Sequence, residues 1–386
     1  MIIYLAGGPG VPSTFAAFTE VGPYLIKSNG DSSFTNVTIQ KNLHSLTQNY
    51  HLLVIDQPVG TGFSIRQEND TVASASQAAD YLITFFLRFY ELYPSLNKIP
   101  TYFYGHSYAA KYVSNLVYKW LQHSELSKVN IAGVILGNPS LHPIIQFKLA
   151  ETAYASGIIN KRQKEYLLKK EDEMKSLYES GDLSRAADIY YEMVAYLQSM
   201  NVTGGAWNFN YVLYVPKDSK VPVEYTDFLC GQVHLSKDSS NIREILQIPE
   251  GVKYTFLSPD VRGPFLKSGD FMNPATNALE FILEKGIDTL IYAGQFDGAI
   301  VYSGLMDSVS ELKWTGIENF NAAEKSAWYD SKEESVAGSY QEFENLHFAV
   351  VNNSGHFSVY DQGQNMLVLF DKFINRKTLK KEGNNL

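Results

Sequence analysis

Six short runs dominated by apolar and β-branched residues constrain this chain most: Ile2 to Leu5, His51 to Asp56, Thr101 to Tyr104, Ile131 to Leu136, Thr289 to Ala293 and Leu346 to Val351. A strand with one wet face alternates polar and apolar positions, and most of these runs do not alternate. Continuous apolar runs of this length suit parallel strands covered by helices on both faces. Between the second and third runs, Ala75, Ala79, Leu82, Phe86 and Phe89 recur at helical spacing, and Pro94 predicts a stop after Tyr93. Strands alternating with amphipathic helices predict an α/β sheet with crossover connections.

After Gly137 the character changes. Lys161 to Lys175 holds ten charged residues in fifteen, followed by Ala186, Tyr190, Met193 and Leu197 at helical spacing. Residues 141–255 read as a mainly helical cap insertion between two parts of one core, 1–140 and 256–386, with a polar tail from Arg376. A chain of 386 residues has room for a large core with such an insertion. Lys plus Arg 32 against Asp plus Glu 41 leaves a net charge of −9, which repels a phosphate backbone or an anionic membrane, so neither is an expected partner. With Cys230 the sole cysteine, neither an internal disulfide nor a thiolate zinc cluster is possible. No apolar run reaches the roughly eighteen residues of a membrane span, and Met1 to Leu5 is too short for a secretory signal.

The segment Tyr104-Gly105-His106-Ser107-Tyr108-Ala109-Ala110 joins a predicted strand to a predicted helix. A serine on such a bend, flanked by small residues, is the arrangement of a nucleophile elbow; alone, a helix-capping serine fits equally. A nucleophilic serine needs a base and a carboxylate to orient it, and in α/β hydrolases these follow on later strand ends. Asp297 in Gly294-Gln295-Phe296-Asp297-Gly298 and His356 in Ser354-Gly355-His356 stand just past the fifth and sixth runs. Each by itself could be an ordinary loop residue, but the order Ser107, Asp297, His356 supports a catalytic role for all three. His44, His51, His123, His142, His234 and His347 fit that order less well. Gly7-Gly8-Pro9-Gly10 follows the first run, where the Gly8 and Tyr108 amides can form an oxyanion hole. Without a following Lys-Ser/Thr it is not a phosphate loop.

Together these motifs resemble those of the serine carboxypeptidases, the later half looking especially like the vitellogenic-type members. Asp56-Gln57-Pro58-Val59-Gly60-Thr61-Gly62-Phe63-Ser64 is identical to a family segment, and Tyr104 to Val113 is similar to the family's YGESYAGKYV. Gly137-Asn138, Gln146, Gly157-Ile158-Ile159, Trp314, Trp328, Gly355-His356-Phe357 and Asp361-Gln362 extend the likeness over essentially the whole chain. The resemblance implies an α/β-hydrolase fold with a mixed, mostly parallel sheet, and removal of C-terminal residues from peptides through an acyl-enzyme. It also implies work at acidic pH in a vacuole or lysosome or outside the cell, with no cofactor or metal. Ser107 would be nucleophile, His356 base then acid, and Asp297 its orienter. An esterase or acyltransferase using the same triad, and a catalytically silent binding protein, remain alternatives.

Departures concentrate where the family reads the substrate's terminal carboxylate, with an Asn before the two glycines and a pair of Glu side chains. Here Ala6 replaces the Asn, His106 replaces one Glu, and Glu20 matches the other. Glu20, His106 and Gly7 are therefore the substrate-binding candidates. Losing a hydrogen bond to a charged group costs about 1.5–3 kcal/mol, so Ala6 should weaken carboxylate binding roughly 10- to 100-fold. Protonated His106 is expected either to hold the carboxylate directly or only to pair with Glu20. Val11 and Pro12 stand where the family has Cys and Ser, and the chain starts at what should be an inner strand. With the family's leader and first strands absent, either the sequence is shorter than the natural chain, which is the expectation, or its sheet has an exposed edge. Asn36, Asn69, Asn201 and Asn352 head N-x-S/T sequons, which at this length argue little for secretion.

Overall fold

A computed structural model describes residues 1–29, 37–199, 210–212, 231–233, 235–236 and 241–377. Cys230, His234, Asn36 and Asn201 lie outside these residues.

The six apolar runs form strands β1 (Ile2–Leu5), β4 (Leu52–Val54), β5 (Thr101–His106), β6 (Ile131–Gly137), β7 (Thr289–Gly294) and β10 (Leu346–Val351). They pair in parallel in the order β4-β1-β5-β6-β7-β10, and two antiparallel strands, β9 (Val336–Phe343) and β8 (Ser326–Tyr329), extend the sheet to eight. A separate hairpin joins β2 (Tyr24–Ser28) to β3 (Val37–Lys41). Strand β1 is interior, between β4 and β5.

The continuous apolar runs have the reason expected of them. Ile3, Leu5, Phe103, Val134, Leu136, Ile291, Phe348 and Val350 face one core, while Ile2, Tyr4, Tyr104, Ile135, Leu290, Tyr292, Ala349 and Val351 face another. Successive side chains point to opposite faces and both faces are dry. The first core is closed by α2 (Ala75–Leu92) and α3 (Ala109–Gln122), where Phe86, Phe103 and Trp120 pack edge to face. The second is closed by the helix Gly363–Ile374 through Met366, Leu369 and Phe370. Helix α2 starts at Ser74, whose side chain accepts from the Gln77 amide, and ends at Leu92 before Pro94.

Directly after β6 come α4 (Pro143–Gln146), α5 (Leu149–Ala155), α6 (Lys161–Glu179) and α7 (Leu183–Ser199). The charge run lies on α6, which buries Leu167 and Met174 and leaves most of its charges in water. Among the described residues, no helix is long and apolar enough to cross a membrane.

Parallel pairing places one class of loop on one edge of the sheet. In register, Leu5 lies beside Gly105, His106 beside Gly137, Gly137 beside Tyr292, and Gly294 beside Val351. The segments carrying Gly7, Ser107, Asn138, Asp297 and His356 therefore leave the sheet side by side.

Candidate active site

Ser107 directly follows β5 with φ 61°, a left-handed conformation that non-glycine residues seldom adopt. It is held there: its amide donates to the Gly137 carbonyl at 2.8 Å, and its carbonyl accepts from Ser140 at 3.1 Å. The bend is tight enough that a Cβ on Gly105 would lie 2.6 Å from the Ala109 carbonyl oxygen, which explains the glycine. This is the strained strand-to-helix turn of an elbow rather than a capping serine, since no side-chain cap opens α3.

The loop after β1 passes against this bend. A Cβ on Gly7 would stand 2.6 Å from the Tyr108 nitrogen and 2.7 Å from the His106 carbonyl, so only glycine permits the approach. Neither the Gly8 nor the Tyr108 amide donates to a described residue. The loop is anchored through α1 (Ser13–Thr19): Ser13 Oγ accepts from the Ala6 amide and donates to the Ile55 carbonyl at 2.7 Å. Buried Asp56 accepts from the Thr14 amide at 2.8 Å and the Phe63 amide at 3.0 Å. The nine-residue segment from Asp56 to Ser64 thus braces the Gly7–Gly8 loop.

Asp297 and His356 meet. His356 Nδ1 donates to Asp297 Oδ2 at 2.7 Å, and Asp297 Oδ1 accepts from the amides of Ala299 at 2.7 Å and Ile300 at 2.9 Å. With three donors the buried carboxylate has its charge compensated and its orientation set. The imidazole is steered by its backbone too: the His356 amide donates to the Asn210 carbonyl at 2.6 Å, and its carbonyl accepts from Asn138 Nδ2 at 2.7 Å. Asn138 also accepts from the Gly294 amide through Oδ1 at 2.6 Å, tying the end of β7 to the His356 loop. Asn138 had entered the sequence reading only as part of a resemblance; its residue type and position after β6 carry no signal for this bridging.

Ser107, His356, Gly7, Gly8, Tyr108, Glu20 and His106 all line one cavity of about 530 Å³, whose wall is otherwise largely aromatic and apolar. The sequence candidates thus come together on one surface, with Asp297 buried behind His356. The serine carboxypeptidase family model matches residues 1–376. The chain belongs to that family. It is 28% identical over 385 residues to serine carboxypeptidase-like 50 of Arabidopsis thaliana, covering 98% of this chain and 81% of that one. It is 26% identical to the probable serine carboxypeptidase CPVL of Homo sapiens, over 97% of this chain and 76% of that one. Among solved structures it resembles Kex1, a prohormone-processing carboxypeptidase from Saccharomyces cerevisiae, with TM-score 0.83 and 21% identity over 99% of this chain and 84% of that one. The fold is that of an α/β hydrolase, and the chain is a hydrolase of the serine carboxypeptidase type.

For a serine carboxypeptidase, the environment of His106 corrects an expectation. Its Nε2 lies 2.7 Å from the His356 carbonyl, and no ion pair or hydrogen bond joins it to Glu20. Burial, then the neighbouring His356, push its pKa down to about 3. The side chain is therefore a neutral donor that props the His356 backbone, and neither protonated role holds. Glu20 is buried without a described donor to its carboxyl; desolvation, then Asp361, push its pKa up to about 8.

A second network behind the elbow had no sequence signal. Lys111 is fully enclosed, and its ammonium donates to the carbonyls of Asp270 at 2.9 Å, Phe271 at 2.8 Å and Asn273 at 2.5 Å. The Tyr108 hydroxyl donates to Asp270 Oδ2, so residues 270–273 fix the first turn of α3 and with it the Tyr108 amide.

Proposed function

We propose that this serine carboxypeptidase releases C-terminal residues from peptides using Ser107, His356 and Asp297. Ser107 Oγ attacks the scissile carbonyl carbon as its proton passes to His356 Nε2. The oxyanion accepts hydrogen bonds from the Gly8 and Tyr108 amides, each such donor being worth about 3 kcal/mol in the transition state. His356 then protonates the departing amine, and an acyl-enzyme on Ser107 remains. Water attacks the acyl carbon as it gives a proton to His356 Nε2, which returns that proton to Ser107 Oγ as the acid product leaves. Asp297 holds the imidazole in the tautomer that leaves Nε2 free as base. The carrying observation is the 2.7 Å His356–Asp297 contact facing the same cavity as Ser107 in its left-handed bend.

The terminal carboxylate of the substrate is assigned to the Gly7–Glu20 end of the cavity. Below pH about 8 the Glu20 carboxyl is neutral and donates a proton toward a carboxylate. Helix α7, within the proposed cap of residues 141–255, lines the cavity through Tyr190, Tyr191 and Val194, and an acidic vacuolar, lysosomal or extracellular setting, read from the family resemblance, suits a neutral Glu20.

The test compares the wild type with Ser107→Ala on a blocked dipeptide acid and its C-terminal amide at acidic pH, with products identified by mass. Release of the terminal amino acid by the wild type alone, with the amide cut much more slowly, supports the proposal. Equal rates on acid and amide would end the carboxylate assignment and favour an esterase or acyltransferase, for which the replacement of Asn by Ala6 is the motivating observation.

A further inference from the structure

The wall of the cavity away from Glu20 carries a charge that the proposed chemistry leaves unused. Arg262 is the one permanently charged side chain among the described residues that line the cavity. It projects from the first turn of the helix Pro259–Lys267, whose Ser258 cap holds the Asp260 amide and whose Arg262 amide donates to the Ser258 carbonyl at 2.8 Å. The guanidinium lies over the Tyr191 ring, 4.7 Å from its centroid, and Arg262 Nε is buried without a hydrogen-bond partner. No described carboxylate pairs with it. Nearby Asp260 turns instead to Arg66, and Asp270 accepts from Tyr108 and the Ala75 amide.

A cation in the cavity wall without a carboxylate partner favours an anionic ligand, and because Nε is closed off by protein, a carboxylate arriving in the cavity would be bound through the Nη groups. A chain of rings links this charge to the elbow. Tyr191 packs 5.3 Å from Phe271, and Phe271 stacks on Tyr108, the residue after Ser107, at 6.2 Å and 6°. If the leaving residue occupies the Gly7–Glu20 end, as the proposed function has it, this flank receives the residue that supplies the acyl group.

We propose that Arg262 is a specificity-determining residue that selects peptides carrying an acidic side chain on the acyl side of the scissile bond. The Arg262 guanidinium binds that carboxylate through its Nη groups while Tyr191 stacks beneath it. Glutamate, with its longer reach, is the preferred residue, and its uncharged isostere glutamine is the fair competitor.

The experiment measures kcat/KM at pH 6 for blocked dipeptides with Glu or Gln on the acyl side and phenylalanine as the common C-terminal residue. The wild type should favour Glu about 10- to 100-fold. Arg262→Met should bring the Glu-to-Gln ratio to about one, and because the ratio is read within each enzyme, losses common to both peptides cancel. Arg262→Glu should shift preference to a Lys peptide. If Arg262→Met does not fold, Arg262→Lys, which keeps the charge and loses the fork, should retain only a several-fold ratio. A wild-type ratio of one or less, or a ratio unchanged by these substitutions, overturns the proposal. Dissociation constants of the two peptides for Ser107→Ala separate the questions. If neither peptide is hydrolysed by folded wild type, the carboxypeptidase reading fails, while tighter Glu binding still supports Arg262 and equal binding overturns it.

Discussion

Asp297 and Glu20 are both buried carboxyl groups beside the same cavity, and their surroundings differ in one respect. Asp297 receives two backbone amides and the His356 imidazole, whereas no described residue donates to the carboxyl of Glu20, which has Asp361 for a neighbour. Burial disfavours a carboxylate unless donors replace the lost water. Asp297 therefore has donors in place of the lost water, while burial pushes the Glu20 pKa up to about 8. The two neighbouring histidines also differ in partner: His356 Nδ1 faces a carboxylate, and His106, its pKa pushed down to about 3 by burial, faces a carbonyl.

The strongest challenge to this contrast is removal of the charge from Asp297. Asp297→Asn should lower kcat by about 10⁴ while the protein stays folded, because the amide favours the wrong imidazole tautomer. A loss under tenfold would detach Asp297 from the mechanism. Glu20→Gln should act on stability instead. The raised pKa means the folded state keeps a proton that the unfolded chain releases, so stability is fully present below about pH 4.5 and is lost as pH rises through about 8. Glu20→Gln removes that loss, and the variant should gain on the wild type by roughly 3–5 kcal/mol from pH 4 to pH 9 in urea melts. Parallel curves for the two proteins would show that Glu20 ionises normally.

Ala6→Asn should sharpen recognition by adding a donor, lowering KM for a peptide acid roughly 10- to 100-fold and leaving the amide unaffected. An equal gain on both would mean that Ala6 does not face the terminal carboxylate. The smallest effect is expected at His106. His106→Gln keeps an N–H for the His356 carbonyl, so activity should change by less than about tenfold and the pH profile should keep its shape. A profile that loses an inflection between pH 5 and 7 in the variant would restore the protonated-histidine reading.

Parallel strands were legible because burial on both faces erases alternation, and α2 because Pro94 and its apolar stripe bound it. Strand β9, Val336 to Phe343, was not, since Gly338, Ser339, Gln341 and Glu342 dilute its apolar pattern. It is held by pairing with β10 on one side and β8 on the other, which no local window reports. Among the site candidates, Ser107, Asp297 and His356 stood out because each follows an apolar run in a glycine-containing turn. Asn138, Lys111 and Arg262 did not, since an amide, a helix lysine and a first-turn arginine are ordinary until their burial and neighbours are known.

Residue order and type by themselves determined that a parallel sheet would form and that its strand ends would carry a serine, an acid and a histidine in turn. They also determined that an alanine and a histidine would stand directly before Gly7 and Ser107. Only the tertiary structure set the burial that lowers the His106 pKa and raises that of Glu20, and placed Arg262 in the cavity wall over the Tyr191 ring. Ionisation depends on how much water burial removes and which donors replace it, and those neighbours come from parts of the chain far apart in sequence.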